Sequence, residues 1–142
     1  MKNEPPIAVI LLTYNEEINI SASLKSLGGW SDNIFILDSF STDRTLGIAK
    51  QYGCKIFQNR FEDYAKQRNF ALSHLPIETE LVLFLDADEW LTEELKEGIA
   101  VVVGKNPKED GFSIKRCLIW MGKRSIGFRT MHGRCGQKTL NF

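Results

Sequence analysis

Apolar and polar positions alternate in blocks through the first hundred residues, and the blocks carry two different periods. Ile7–Leu12 is a continuous β-rich apolar run, the signature of a parallel strand buried on both faces. Residues 16–27 instead place Ile20, Leu24 and Leu27 on one helical face, and Gly28-Gly29 stops that helix. Ile34–Leu37 is a second short strand. A helix through about Tyr52 follows, with Ser41 and Thr42 offered as caps and Gly53 as its end. Lys55–Gln58 is a weaker strand. Glu62–Leu75 is a helix with acidic residues in its first turn, where the helix dipole favours them. Leu81–Leu85 is the strongest strand, Thr92–Val103 a helix closed by Gly104, and Gly111–Trp120 an extended segment whose partner the pattern does not identify. This order predicts an α/β fold with a mostly parallel central sheet and helices on both faces. Residues 1–120 form one such unit, and the tail from Met121 has no periodicity that would place an element.

In open parallel sheets, ligands bind outside the carboxyl ends of the strands. The chain puts Thr13-Tyr14-Asn15-Glu16, Asp38-Ser39 and Asp86-Ala87-Asp88 at three of those ends. Asp, Asn and Ser also start turns, so each group alone has a plain explanation, and their convergence is the stronger signal. Strand alternation would point Asp86 and Asp88 to the same side. Two carboxylates with their hydration suit a hard divalent cation, Mg²⁺ or Mn²⁺, that borrows oxygens from a phosphate. The competing explanation makes Asp88 or Glu89 the entry of the next helix, which accounts for one acid better than for three. Along Glu62–Leu75, the residues Phe61, Tyr64, Ala65, Leu72 and Leu75 share a face with Arg68 in its middle. That arginine either snorkels to water over an apolar stripe or reaches an anion in the cleft.

The 142 residues are 43% hydrophobic and 25% charged, within the range of an ordinary globular domain. No apolar run approaches the ~20 residues that a membrane span needs, and acidic flanks around the first apolar run argue against an export signal. Cys54, Cys117 and Cys135 lack metal-finger or paired spacing and read as reduced thiols of a cytoplasmic protein. The formal net charge of zero divides into −7 over residues 1–110 and +7 over residues 111–142. A basic end on an acidic body either marks an anionic partner such as a phosphate, a lipid surface or nucleic acid, or neutralises the body. There is no phosphate-binding GxxxxGK[ST] loop, since Gly104-Lys105 is followed by Asn106, and no GxGxxG or GxSxG. His74 and His132 lack ligand spacing.

The stretches VILLTYNEE (9–17), ILDSFSTDRT (36–45), YAKQRNFAL (64–72) and FLDADEW (84–90), taken in this order, resemble the N-terminal half of an inverting family-2 glycosyltransferase with the GT-A, Rossmann-like fold. Within that family, FEDYAKQRNFAL is similar to bacterial lipopolysaccharide-core β-glucosyltransferases. The resemblance implies a UDP-sugar donor, a hexose such as glucose as the transferred group, and a saccharide or glycolipid acceptor. It implies no nucleic acid partner, and a cytoplasmic location with peripheral contact at the inner membrane face. By the same resemblance, Thr13, Tyr14 and Glu16 line the pocket for base and ribose, and Asp38 hydrogen-bonds the base, uracil. Arg68 approaches the nucleotide, Asp86 the ribose or donor sugar, and Asp88 coordinates the metal on the diphosphate. No general base is identified: the stretch after IKRCLIWMGKR departs from the family pattern and contains no acid. The resemblance covers roughly residues 5–120, and the chain is expected to be truncated or altered after about residue 124. The alternatives are a non-catalytic nucleotide- and metal-binding module, a nucleotidyltransferase, and a receiver-like signalling domain. The nucleotidyltransferase would show a Gly-rich basic loop where this chain has TYNEE, and the receiver an acid pair after the first strand.

Overall fold

The computed structural model describes residues 6–120, 123–129 and 138–139. β1 (Ile7–Thr13) is buried along its length, as its unbroken apolar run requires, and forms the centre of a parallel sheet. It pairs with β2 (Ile34–Asp38) on one side and β4 (Leu81–Asp86) on the other. β3 (Lys55–Gln58) lies outside β2, and the two-residue β7 (Lys138–Thr139) lies outside β4, giving the order β3-β2-β1-β4-β7. β5 (Ile114–Trp120) finds its partner in β6 (Lys123–Arg129), an antiparallel pair separate from the main sheet.

The helices between these strands are α1 (Ile20–Leu27), α2 (Thr45–Gln51), α3 (Tyr64–His74) and α4 (Glu93–Gly104). Parallel crossovers are right-handed because a right-twisted strand feeding a helix packs back on the sheet only that way. α1 and α2, which touch each other, therefore share one face. The chain reverses its course across the sheet between β3 and β4, which puts α3 on the other face. The core is the strands and the inner faces of these helices: Ile10, Leu11, Ile36, Leu37 and Leu83 of the sheet with Leu24, Leu27 and Ile99 from helices are all at most 1% exposed. Each such side chain contributes about 1.5–3 kcal/mol on burial, so the sheet centre holds the rim residues in place.

Two helices start later than the pattern predicts, for a shared reason. α1 begins at Ile20 because residues 14–19 are committed to a loop in which the amides of Asn19 and Ile20 both bond the Glu16 carbonyl. α2 begins at Thr45 because Ser41 and Thr42, expected as its caps, bond the first loop instead. The remaining helices follow the sequence more closely. Asp63 caps α3 by accepting from the Lys66 amide, and Thr92 caps α4 by accepting from the Leu95 amide.

Candidate functional site

The ladder registers fix which residues meet at the carboxyl edge of the sheet. Thr13 stands opposite Asp38, and Leu12 opposite Asp86, so β1, β2 and β4 end within one residue of each other. Strand order runs outward from β1 to β3 and then jumps to β4 on the other side of β1. That reversal is the switch point where such sheets open a crevice. The expected convergence of three strand ends is therefore present.

Side-chain alternation splits the rim by face. Thr13 and Asp38 point to one side, and Thr13 Oγ1 donates to Asp38 Oδ1 at 2.8 Å. Asp38 is fully buried, and its carboxylate accepts three further bonds: from Ser41 N at 2.8 Å, Ser41 Oγ at 2.5 Å and Gln58 Nε2 at 3.3 Å. Both oxygens are thus occupied by the protein's own donors. A direct bond from Asp38 to a base, expected by resemblance, does not fit that burial. Thr13, 3% exposed, is likewise spent internally. These two side chains are the floor of the rim.

Above that floor, the β1–α1 and β2–α2 loops are laced together. Asn15 N donates to Ser41 Oγ at 2.8 Å, and Thr42 N returns a bond to Asn15 Oδ1 at 2.8 Å. Glu16 N donates to Thr45 Oγ1 at 2.9 Å, and Glu17 N to Asp43 Oδ2 at 3.2 Å. Arg44 closes the set on Glu17 through its amide and its Nε. Burial acts to raise the Asp43 carboxyl, but the Thr45 hydroxyl, the Thr45 amide and the Glu17 amide outweigh it and hold it below its ordinary value of 3.8. Glu16 itself is half-buried and accepts from Asn19 Nδ2. Tyr14 is 61% exposed.

On the opposite face, α3 differs from the expected apolar stripe. Phe61, Tyr64 and Ala65 are exposed, and the buried positions are Gln67, Ala71 and Leu72, with Leu75 just beyond. The helix turns a polar residue inward because the strand ends need it. Gln67, 1% exposed, donates through Nε2 to Ser39 Oγ and Asn59 O and accepts from Asn59 Nδ2 at 2.9 Å. Arg68 is half-buried beside it, its guanidinium 5.7 Å from the Phe84 ring centre and 5.9 Å from that of Tyr64. Phe84 and Asp86 lie two apart on β4, so Arg68 and Asp86 belong to the same face of the sheet.

The end of β4 corrects the alternation argument for the acids. The strand stops at Asp86, and Ala87-Asp88 are the corner of a turn in which Glu89 N donates to Asp86 O at 2.9 Å. Glu89 Oε2 accepts from Asp86 N at 3.0 Å, which accounts for that carboxylate. The helix-entry explanation fails for Asp88, because α4 starts at Glu93 under the Thr92 cap. Asp88 is exposed at the switch point, with no bonding partner among the described residues. Among the described residues no group of three or more potential ligands converges to cage an ion. One or two carboxylates are the protein's share of the donor set of Mg²⁺ or Mn²⁺ that keeps waters and binds phosphate oxygens. The exposed carboxylate of Asp88 is compatible with such an ion.

Sequence reasoning singles out Tyr14 and places Phe61 and Tyr64 on an apolar helix face, but misses Phe40 and Trp90. Phe40, Phe61 and Trp90, with Tyr14 and Tyr64, are exposed large apolar residues, and all five follow the ends of β1 to β4. Their signal was position: an aromatic residue directly after a buried strand has no core to enter. A cavity of about 140 Å³ at the opposite edge is lined by Pro6, Glu80, Leu81, Val103, Asn106 and Pro107, and carries no comparable convergence of polar groups.

Comparison with known proteins agrees with this architecture. The family model described as glycosyl transferase family 2 matches residues 8–114. An uncharacterized glycosyltransferase of Rickettsia typhi is 30% identical over 118 residues, 82% of this chain and 40% of that protein. The poly(ribitol-phosphate) β-N-acetylglucosaminyltransferase TarS of Staphylococcus aureus is 33% identical over 107 residues, 67% of this chain and 18% of that one. The crystal structure of TarS 1–349 in complex with UDP superposes with a TM-score of 0.54 at 31% identity, covering 70% of this chain and 32% of that one. The mannosyltransferase PcManGT of Pyrobaculum calidifontis, in complex with GDP-Man and Mn²⁺, shares the fold with a TM-score of 0.61 at 22% identity, covering 80% and 36% of the two chains. The chain spans 32–40% of the length of the Rickettsia relatives it matches.

Proposed function

The chain belongs to glycosyl transferase family 2, and from that premise we propose that it is the donor-binding half of an inverting glycosyltransferase that uses a UDP-sugar. The observation that carries this reading is the registered end of β1, β2 and β4, which brings Thr13, Asp38 and Asp86 to one rim at the switch point. The UDP bound to TarS supports the choice of nucleotide. In this reading Tyr14 and Glu16 border the base and ribose, while Thr13 and Asp38 serve the same pocket from beneath by fixing the loops that carry it. Arg68, on the Asp86 face, complements the negative charge of the diphosphate, and Asp86 approaches the ribose or donor sugar. Asp88 holds the divalent ion, Mg²⁺ or Mn²⁺, together with phosphate oxygens. When bound, that ion supplies Lewis acidity to the leaving diphosphate.

Inversion requires the acceptor hydroxyl to attack from the face opposite the diphosphate, with a carboxylate base to take its proton. No residue of the described site is assigned that role. Glucose as the transferred sugar, and a lipopolysaccharide core or other saccharide as acceptor, rest on the resemblance of FEDYAKQRNFAL. So does a cytoplasmic, membrane-peripheral location; among the described residues no helix is long and apolar enough to cross a membrane.

Calorimetric titration with UDP, with and without Mn²⁺, tests the donor site. Metal-dependent binding is expected, and its absence would refute the reading. Release of UDP from UDP-glucose, compared with and without a saccharide acceptor, then separates transfer from binding alone.

A further inference from the structure

Phe40 occupies a position that neither packing nor backbone preference explains. Its φ is 60°, in the left-handed region that bulky L residues avoid and glycine enters freely. The residue is 54% exposed, so the core gains little from it. Both neighbours are nonetheless pinned. Ser41 gives its amide and hydroxyl to Asp38, and Ser39 bonds the Thr13 carbonyl through its amide and Gln67 through its hydroxyl. The buried carboxylate and the buried amide together hold Phe40 in its strained conformation.

Two of these bonds also set what Phe40 faces. Ser39 N donates to Thr13 O at 2.9 Å, and Asn15 N to Ser41 Oγ at 2.8 Å. Tyr14 and Phe40 therefore lie on adjacent chain segments between these two hydrogen bonds, just past the Thr13–Asp38 pair where the β1–β2 ladder runs out. Both are exposed aromatics, springing from backbones about one strand spacing, roughly 5 Å, apart. The acids of the β4 turn lie one strand further across the rim, so a ligand gripped there by its phosphates would carry its base toward Tyr14 and Phe40.

We propose that Phe40 is a donor-binding residue that forms, with Tyr14, an aromatic platform for the nucleobase of the donor. This rests on the UDP-sugar reading above and adds a residue to it. Backbone strain is retained because the left-handed turn, built on Asp38, keeps the ring at the rim instead of folding it inward. Stacking of this kind is tolerant of base identity, so selectivity for uracil over a purine would come from the width of the platform.

The test compares wild type with Phe40→Gly and Phe40→Trp, titrating UDP with Mn²⁺ and, separately, pyrophosphate with Mn²⁺. Glycine accepts the backbone conformation, so Phe40→Gly should melt no lower than wild type. The expected result is UDP binding weakened about 5- to 100-fold in Phe40→Gly, pyrophosphate binding unchanged, and Phe40→Trp close to wild type for both. Unchanged UDP binding in Phe40→Gly overturns the platform and leaves the donor site standing. Equal loss of UDP and pyrophosphate also overturns it, because the residue would then be shaping the site as a whole. Wild-type protein that binds pyrophosphate with Mn²⁺ but not UDP refutes the nucleotide reading itself, and the platform with it.

Discussion

Replacing Asp38 removes the acceptor on which four donors converge, and the two obvious substitutions should differ in a way that only this network explains. In Asp38→Ala, the Thr13 and Ser41 hydroxyls can rotate toward other acceptors, but the Ser41 amide and the Gln58 side-chain amide lose fixed bonds. A buried donor left unsatisfied costs about 1–3 kcal/mol, and the space vacated by the carboxylate adds a cavity term. Together these give about 3–5 kcal/mol, a large part of the roughly 5–15 kcal/mol that holds a domain folded. Asp38→Asn keeps the shape. Its oxygen can serve the Ser41 and Gln58 amides, while its NH₂ faces two hydroxyls that can turn to accept. What remains is the loss of charge assistance, about 1–2 kcal/mol. Urea unfolding of both variants, followed by far-UV circular dichroism, measures the pair. An alanine variant within about 1 kcal/mol of wild type, or an asparagine variant no better than alanine, would refute the four-donor geometry.

Gln67→Leu should cost about 2 kcal/mol despite being an apolar residue at a buried helix position, because it strands Asn59 and Ser39; a stabilised variant in chemical denaturation would contradict the inward-facing amide. The Asp43 carboxyl is held below 3.8 in the fold, so it contributes stability above that ordinary value, lost as pH falls through its lowered one. Melting temperature against pH should therefore drop less steeply in acid for Asp43→Asn than for wild type, and parallel curves would argue against the Thr45 and Glu17 bonds. Burial pushes the Cys54 thiol up to about 11, whereas Cys117 is exposed. Alkylation near neutral pH followed by peptide mass spectrometry should modify Cys117 first, and faster reaction at Cys54 would show that its packing is wrong. Asp88→Ala should abolish metal-dependent UDP binding without lowering the melting temperature, since the carboxylate bonds nothing in the described fold; retained binding would move the metal elsewhere.

Strands were read well from sequence, because a buried parallel strand is an unbroken apolar run and needs no partner to be recognised. Lys55–Gln58 coincides with β3 and Ile34–Leu37 falls one residue short of β2. Loops were read poorly because their residues are spent on distant partners. Ser41 and Thr42 look like helix caps until β2 is placed beside β1, and only the Thr13–Asp38 register shows that they serve the neighbouring loop instead. The same lack of register hid Gln67, whose inward direction contradicts an apolar-face rule, and made Phe61, Tyr64 and Ala65 look buried. The acids after β4 do lie at the carboxyl edge of the sheet, but strand alternation does not extend past the last strand residue into the turn that holds Asp88. Phe40 is marked in the sequence only by its place just after a buried strand, since a left-handed φ leaves no trace in a sequence that puts phenylalanine where glycine would be easier.

The claim on which the functional account depends is that nucleotide and metal bind at the carboxyl edge of the sheet, across the ends of β1, β2 and β4. Mn²⁺ is paramagnetic, so adding it with UDP to isotopically labelled protein broadens amide signals according to their distance from the ion. The account predicts selective loss around Asp86–Trp90, weaker broadening at Tyr14–Glu16 and Ser39–Ser41, and sharp signals at the amino edge, near Ile7, Asn33 and Glu80. Broadening centred on the amino edge, or none that depends on UDP, would contradict it.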